Sequence, residues 1–375
     1  MSAWLQKTRP IRSRLAALVC VVFAAFALTL TMSGQALAQR GGPPPPTIVL
    51  PGPGLTDIDT QFASHQALFD LGSNFLRRAG DQATWGTNAV AGRNAGGGGA
   101  SESTAPQTFR SWAEAYGISS HNDAQGDFVG DHRKTFGGAA GIAATVLPGL
   151  NIGATVDQSD TRIDLPLALQ SAKLALTQFG FNANYTVGAW TLAGAVVHGW
   201  GMIDAQRDTI AGLALSHYRG RIDGAVGELS YYWGLGESRV VPKLGVEYMR
   251  AQTDAFQETG GDVPVAAAAA TGERTRVLIG TEVGHYWIID RHVLDISGYG
   301  KFVDNVAQSI SPIAVTANGQ TVTVAGIVES QYGADAGAGI SFGLTNALRM
   351  YANYDGKFRG NSTSHQGTLG LEVKW

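Results

Sequence analysis

Histidines are the side chains in this sequence that most directly suggest chemistry, because imidazole binds metals and moves protons near neutral pH. Their spacing supports neither role. The sequence contains no His-Glu-x-x-His motif and no pair at the spacing that metal sites use. We expect most of them to lie at interfaces or in loops, and we expect no metal site. The eight histidines are His65, His121, His132, His198, His217, His285, His292 and His365.

Other catalytic and cofactor motifs are also missing from the sequence. There is no Gly-x-Ser-x-Gly elbow of the kind that presents a nucleophilic serine. The glycine run at 96–99 lacks the Lys-Ser/Thr pair of a phosphate-binding loop, so it indicates a linker. Cys20 is the only cysteine. These observations predict no catalytic residue and no cofactor, and they make an enzyme the least favoured class.

A second polar set consists of charged residues that alternate with apolar ones. In 273–288, Val277, Ile279 and Val283 alternate with residues such as Arg276 and Glu282. Such a strand has one apolar and one polar face. In a membrane barrel, the polar face lines a lumen, because an Arg or Lys facing lipid at midplane costs about 2–4 kcal/mol. The residues predicted to line this lumen are Glu114, Lys243, Glu247, Arg274, Arg276, Glu282, Arg349, Asp355, Lys357, Glu372 and Lys374.

The C-terminal segment shows the same alternation and ends on an aromatic residue. Leu369, Leu371, Val373 and Trp375 fall on one face of a strand, and Glu372 lies on the other. An apolar face meets lipid, a polar face meets the lumen, and an aromatic side chain suits the membrane interface. This pattern predicts a transmembrane β-strand.

Composition agrees with a barrel. Of 375 residues, 50 are Gly and 15% are charged, and the mean hydropathy is +0.00. Beyond the N-terminus, no window of eighteen apolar, uncharged residues occurs, so membrane-spanning helices are excluded. Nothing in the charge pattern indicates nucleic-acid binding.

Residues 1–38 have the features of a secretory signal for the Sec pathway. Lys7 and Arg9 belong to a basic region, an apolar stretch follows, and Ala36 and Ala38 form a small-x-small cleavage site. An N-terminal anchor helix is the alternative. Removing this segment takes away four basic residues and no acidic ones, which changes the net charge from −3 to −7.

The next segments predict a tail, a helix and a linker. Residues 39–55 form a Pro/Gly-rich tail, 56–80 a helix, and 81–106 a Gly-rich linker. At 1.5 Å per residue the helix is about 35 Å long, enough to cross a bilayer-sized barrel, and its charges require a polar lumen rather than lipid. We expect it to plug the pore. Its predicted contact residues are Asp57, Asp59, Asp70, Arg77 and Arg78.

From residue 107 onward the period is two, and twelve strands can be placed in 107–375. The connections after even-numbered strands are short, and those after odd-numbered strands are longer and polar, as in outer-membrane barrels. Phase changes within 172–187 and 217–233 suggest bulges. The predicted strands are 107–120, 132–147, 150–160, 172–187, 189–204, 217–233, 238–253, 273–288, 291–305, 326–343, 346–358 and 364–375.

Three regions carry a resemblance to a known family. Residues 111–117 look like its opening strand, 241–248 with 256–261 like a mid-barrel strand and its loop, and 350–358 like its closing hairpin. On these segments, the C-terminal 270 residues resemble the translocator barrel of the autotransporter (type V secretion) family. The resemblance implies a twelve-stranded outer-membrane barrel of a Gram-negative bacterium, a helix in its lumen, and periplasmic chaperones and the barrel-insertion machinery as partners. It also implies that Trp375 is part of the assembly signal.

Family members carry exported passengers of hundreds of residues, whereas here about 17 residues separate the expected cleavage site from the helix. We therefore expect a monomeric barrel in outer-membrane lipid with almost no passenger and a structural or surface-interaction role. A small porin-like channel and a translocator of a very short N-terminal peptide are the alternatives. The lumenal charges either grip the helix or only fill the interior with ion pairs.

Overall fold

The change from helical to alternating periodicity near residue 107 separates one long helix from a barrel. The computed structural model describes residues 58–88, 109–126, 128–290, 292–345 and 347–375, without the side chains of 82–88. The signal, the tail and most of the linker that we predicted lie outside these ranges.

The described residues form helix α1, Asp59–Asn88, and twelve long antiparallel strands, which confirms the predicted fold class. The strands are β1 Phe109–Asn122, β2 Asp131–Leu147, β3 Leu150–Leu165, β4 Gln170–Val187, β5 Trp190–Thr209, β6 Gly212–Tyr231, β7 Ser238–Thr253, β8 Ala270–Ile289, β9 His292–Ile310, β10 Tyr332–Gly343, β11 Leu348–Arg359 and β12 Ser362–Lys374.

The barrel is closed by pairing of its first and last strands. β1 pairs with β12 from Arg110 opposite Lys374 to Asn122 opposite Ser362. Each other strand pairs with its neighbour in sequence, so no strand edge of the barrel remains free. The last residue takes part in closure, because the backbone groups of Phe109 and Trp375 exchange two hydrogen bonds of 3.0 Å.

The outer surface has the dimensions of a membrane band. Trp190 and Trp200 both face outward on β5 and bracket Leu192 and Val196. Ten residues at about 3.3 Å rise and about 40° tilt correspond to about 25 Å of height, which matches the apolar band of outer-membrane barrels. Beyond Trp200, the exterior of β5 becomes charged, beginning with Asp204.

The phase changes that we interpreted as bulges have a different cause. Neither β4 nor β6 shows a register shift with its neighbours. On β4, the apolar side chains Leu174 and Leu176 face inward above the membrane, whereas Phe179 and Phe181 face outward within it. The apolar face therefore changes sides where the strand enters lipid. The shifts that do occur lie between Thr145 and Leu147 of β2 and in β8.

The predicted alternation of loop lengths is only partly correct. The turns at the end of the barrel that holds both its termini are short, as expected. At the other end, the β3–β4 and β5–β6 connections are also short, at 166–169 and 210–211, because these strands extend past the membrane band. The long connections there are 254–269 and 311–331. In outer-membrane barrels the short turns lie in the periplasm, so we expect the loop end of this barrel to face outward.

Helix α1 is longer than predicted. Gly80 does not end the helix, which continues to Asn88. A glycine within a helix costs about 1 kcal/mol relative to alanine, and the hydrogen bonds of the following turns offset this cost. Its first turn lies at the loop end, where the Thr60 amide donates to Gln170, and Ala79 lies near Asn182 deeper in the barrel. Among the described helices, none is long and apolar enough to cross a membrane.

The long outer connections fold into a cap over the helix. A four-stranded sheet in the order Gln320–Val324, Ile313–Ala317, Ala266–Ala267, Phe256–Gln257 joins the 254–269 and 311–331 loops. Phe256, Val265, Ile313 and Val315 pack into the same hydrophobic core as α1. This cap was not predicted.

Inward-facing aromatic rings explain part of the high glycine content. The Trp112 ring lies over Gly141, its direct cross-strand partner, and a Cβ on that glycine would come within 2.7 Å of the ring. Such rings cover glycines that would otherwise leave the sheet unpacked. The other pairs are Tyr116 with Gly137, Tyr299 with Gly337 and Tyr351 with Gly370.

Candidate functional site

The candidate site is the lumen together with the helix that fills it. Helix α1 is buried on its apolar and polar faces alike: Phe75 is 0% exposed, and Asn74 and Arg78 are 2% and 7% exposed. A surface helix would leave one face in water. The barrel wall therefore surrounds α1.

One side of α1 docks through hydrophobic packing on β4–β7. The wall is apolar here, whereas we expected polar residues to line the lumen. Glycines let the helix approach: a Cβ on Gly220 would lie 2.7 Å from Leu68 Cδ1, and one on Gly224 would lie 2.8 Å from Leu76 Cδ1. Each large apolar side chain buried contributes about 1.5–3 kcal/mol. The main members of this core are Ile58, just before α1; Phe62, Leu68, Phe69, Leu71, Phe75 and Leu76 of α1; and Leu174, Leu176, Ile203, Ile222 and Met249 of the barrel.

Arg78 forms the first polar contact between helix and barrel. Its guanidinium lies 2.6 Å from Asp157 and 3.2 Å from Glu114, and it stacks 3.9 Å from the centre of the Tyr116 ring. The Tyr116 hydroxyl and the Gln178 amide donate to Asp157 at 2.8 and 2.9 Å. Both carboxylates are almost fully buried, so their charges depend on Arg78 for compensation.

Ser73 forms the second polar contact, at the middle of α1. Its hydroxyl donates to Glu247 at 3.0 Å and accepts from Arg276 and Lys357 at 2.9 and 3.2 Å. Arg276 also pairs with Glu247 at 2.7 Å. One small helix side chain thus connects three charged residues on β7, β8 and β11.

The remaining predicted helix contacts are distributed along α1. Arg77 lies 3.6 Å from Asp355, and Asp70 lies 2.9 Å from Arg133. Asp59 is buried near the cap, with 3% of its surface exposed. Asp57 lies outside the described residues.

A carboxylate from the cap enters the lumen from above. Glu329 lies 2.8 Å from Arg274, 3.4 Å from Arg359 and 3.8 Å from Arg276, and Asn305 donates to it at 3.2 Å. Burial alone would raise the pKa of Glu329, but the three arginines outweigh burial and hold the pKa well below its usual range. Glu329 is therefore ionised and holds the loop inward.

Two further contacts hold the same loop. The Gln66 side chain of α1 donates to the Ile327 carbonyl at 2.9 Å, and the Val328 amide donates to Gln125 at 3.0 Å. These bonds explain why β10 begins at Tyr332 rather than at the predicted residue 326. Residues 327–331 leave the sheet to contact the helix and the lumen.

The structure places all eleven predicted lining residues on the inward faces of their strands. They do not form one site. Their partners divide them into groups along the barrel: Glu114 with Arg78; Glu247, Arg276 and Lys357 around Ser73; Arg274 with Glu329; Asp355 with Arg77; Lys243 with Glu228 and Glu282; and Arg349 and Lys374 with Glu372.

Several important residues were not identified from the sequence. Asp157 was detectable, because Thr155, Asp157 and Ser159 alternate with apolar or exposed positions on β3. Ser73 and Glu329 gave no signal, since their roles depend on contacts between segments distant in sequence.

The histidines form no common centre. His198 and His217 are exposed on the exterior, where they hydrogen-bond to Asp223 at 2.7 Å and Asp204 at 2.5 Å. His65 is buried on α1 against Phe69. Over the described ranges, no three His, Cys, Asp or Glu side chains are placed to hold a metal ion.

A comparison with known families matches the barrel part of the chain. The model of the autotransporter beta-domain matches residues 111–355, well over half of the sequence. The chain belongs to the autotransporter beta-domain family. Beta-domains of this family are generally not enzymes, and their barrels lie in the outer membrane of Gram-negative bacteria.

Solved structures share the fold of this beta-domain. The translocator domain of the autotransporter NalP from Neisseria meningitidis is 16% identical, with a TM-score of 0.65 over 84% of this chain and 99% of that one. The beta domain of the Bordetella autotransporter BrkA is 13% identical, with a TM-score of 0.54 over 72% of this chain and 100% of that one. A search of curated proteins found no matching sequence.

Proposed function

We propose that this beta-domain is a closed outer-membrane barrel with a structural or surface-interaction role and no catalytic activity. The observation that carries the proposal is the burial of α1 on all faces within a closed wall. A helix is about 10–12 Å wide with its side chains, so it occupies most of a narrow lumen. The outer end of the pore is covered as well, by the cap and by Glu329.

The cap supports the surface role. Its hairpin, Ile313–Ala317 and Gln320–Val324, contains no charged residue and turns at Asn318 and Gly319, both with positive φ. The outer edge of Gln320–Val324 pairs with no other described strand. An uncharged strand edge offers backbone groups to an extended partner. We propose this edge as the contact surface.

Export and assembly follow the family pattern in this proposal. The chain is secreted by the Sec pathway, is kept soluble by periplasmic chaperones and is inserted as a monomer by the barrel-insertion machinery. The exposure of Trp375 (57%) and its backbone pairing with β1 are consistent with a role for the terminal strand in insertion.

Planar-bilayer conductance tests closure. The full chain is expected to show only rare, small current steps, whereas a variant lacking α1 is expected to show frequent, large ones because the plug is gone. Deletion of the hairpin 313–324 is the matched control, since it shortens the cap but leaves α1 and Glu329 in place. Equal conductance with and without α1 would contradict the proposal.

Two other functions have specific support. A small cavity of about 40 Å³ lies beside the second half of α1 and is lined by Arg77, Glu228 and Lys301. This polar cavity favours a small channel if the helix loosens. The direction of α1, with its first turn at the loop end, favours translocation of a short N-terminal peptide. Large steps from the full chain in the bilayer test would support the channel.

A further inference from the structure

Three basic residues form a row on the barrel exterior near the loop end. Lys134 on β2 lies opposite Arg162 on β3, and Arg162 lies opposite Lys173 on β4. All three side chains are exposed and face outward. Cross-strand neighbours stand about 5 Å apart, so the row spans about 10 Å.

The positive charges of this row are not paired with carboxylates in the part of the chain that the structure describes. Among the described residues, no ion pair or side-chain hydrogen bond involves Lys134, Arg162 or Lys173. Like charges placed directly opposite on neighbouring strands destabilise a sheet. Two other exterior cations have partners: Arg250 lies 3.7 Å from Glu273, and Arg221 lies 3.9 Å from Asp254. The exposed Arg219 on β6 has no ion-pair partner among the described residues, but it has no cationic register partner either. A row of unpaired, adjacent cations indicates an anion from outside the chain.

Nearby carboxylates do not neutralise the row. Asp160 and Asp164 flank Arg162 on the same face of β3 without forming an ion pair with it. Asp204 is the register partner of Lys173 on β5, but its carboxylate is bonded to His217. These carboxylates repel anions, so a ligand is held only where its negative groups contact the three cations directly.

The height of the row identifies the kind of ligand. On β2, Lys134 lies two residues before the exposed Phe136, just beyond the edge of the apolar band. On β4 the exterior becomes apolar at Phe179, so Lys173 lies six residues above the edge, or about 15 Å with strand tilt. A phospholipid headgroup reaches only the first cation. A phosphorylated sugar headgroup is tall enough to contact all three.

We propose that Lys134, Arg162 and Lys173 bind the phosphates of a phosphorylated glycolipid in the outer leaflet. The strands behind the row are fixed, because the inward residues Ile163, Leu165, Ala172 and Leu174 pack in the core around α1. The site is thus rigid before the ligand arrives, which lowers the entropic cost of binding. The proposal depends on the outer-membrane location and not on pore closure.

The test uses the refolded full chain in detergent, with diphosphorylated lipid A as the probe and binding followed by a fluorescence titration. The triple variant Lys134→Gln, Arg162→Gln, Lys173→Gln is expected to bind on the order of 100-fold more weakly, at about fivefold per cation. Arg250→Gln, which removes a paired exterior cation, should bind like the native chain. A heat-modifiable gel shift confirms that each variant is folded.

Further arms of the titration identify the chemical source of the anion. Dephosphorylated lipid A, phosphatidylglycerol and inorganic phosphate should each bind far more weakly than the probe. Unchanged affinity in the folded triple variant would overturn the proposal. So would equal binding of the dephosphorylated lipid, or an equal loss in Arg250→Gln. The conductance result is independent of all these outcomes.

Discussion

Arg78→Met is expected to weaken the docking of α1 by about 3–5 kcal/mol, because it leaves the buried carboxylates of Asp157 and Glu114 without their cation. Methionine keeps much of the side-chain length, so the effect arises mainly from charge. We expect a lower urea midpoint for the refolded barrel and faster proteolysis of α1.

Two controls make the Arg78 result specific. Arg221→Met removes an exposed cation that lies 3.9 Å from Asp254, and it should cost about 1 kcal/mol or less. Adding Asp157→Asn and Glu114→Gln to Arg78→Met removes the uncompensated charges and should recover part of the loss. Native-like stability of Arg78→Met alone would show that the ion pair does not hold the helix.

Glu329→Gln is expected to release the 311–331 loop from the lumen. Arg276 and Arg359 keep other carboxylate partners, Glu247 and Asp335, but Arg274 loses the only carboxylate with which it forms an ion pair among the described residues. Its side chain is 1% exposed, so we expect a cost of about 3–5 kcal/mol unless the loop opens to admit water. Hydrogen exchange should then increase in 325–331.

The matched control for the loop is Glu273→Gln, which removes a carboxylate paired with the more exposed Arg250. Its effect should stay near 1 kcal/mol or less. If exchange in 325–331 is the same in Glu329→Gln as in the native chain, Glu329 is not what holds the loop in place.

The strands could be predicted because their signal is local. On β8, inward Arg276 and Glu282 lie on the face opposite the apolar residues Val277 and Ile279. Such alternation occurs wherever one face of a strand meets lipid and the other meets a polar wall. The prediction of bulges was wrong where a strand passes from lipid into water. On β4, Leu174 faces inward above the membrane and Phe179 faces outward within it, so a change of solvent resembles a bulge in the sequence.

The helix and the cap show two other limits. Gly80 is a valid stop signal for an isolated helix, but inside the barrel the helix continues through it. The Asn318-Gly319 pair lies between two β-branched runs, which is a strong local signal for a hairpin. The position of Glu329 could not be predicted, because it is set by arginines 30 to 55 residues away in sequence.

Thiol labelling tests most directly whether α1 lies inside the barrel. Cys20 is the only cysteine, so a Cys20→Ser background allows single cysteines to be placed by Ser64→Cys on α1, where Ser64 is 0% exposed, or by Asn318→Cys in the exposed hairpin. In the folded barrel, we predict rapid labelling at 318 and none at 64 until the protein is denatured. Equally rapid labelling at both positions would place the helix outside the lumen and contradict a plugged pore.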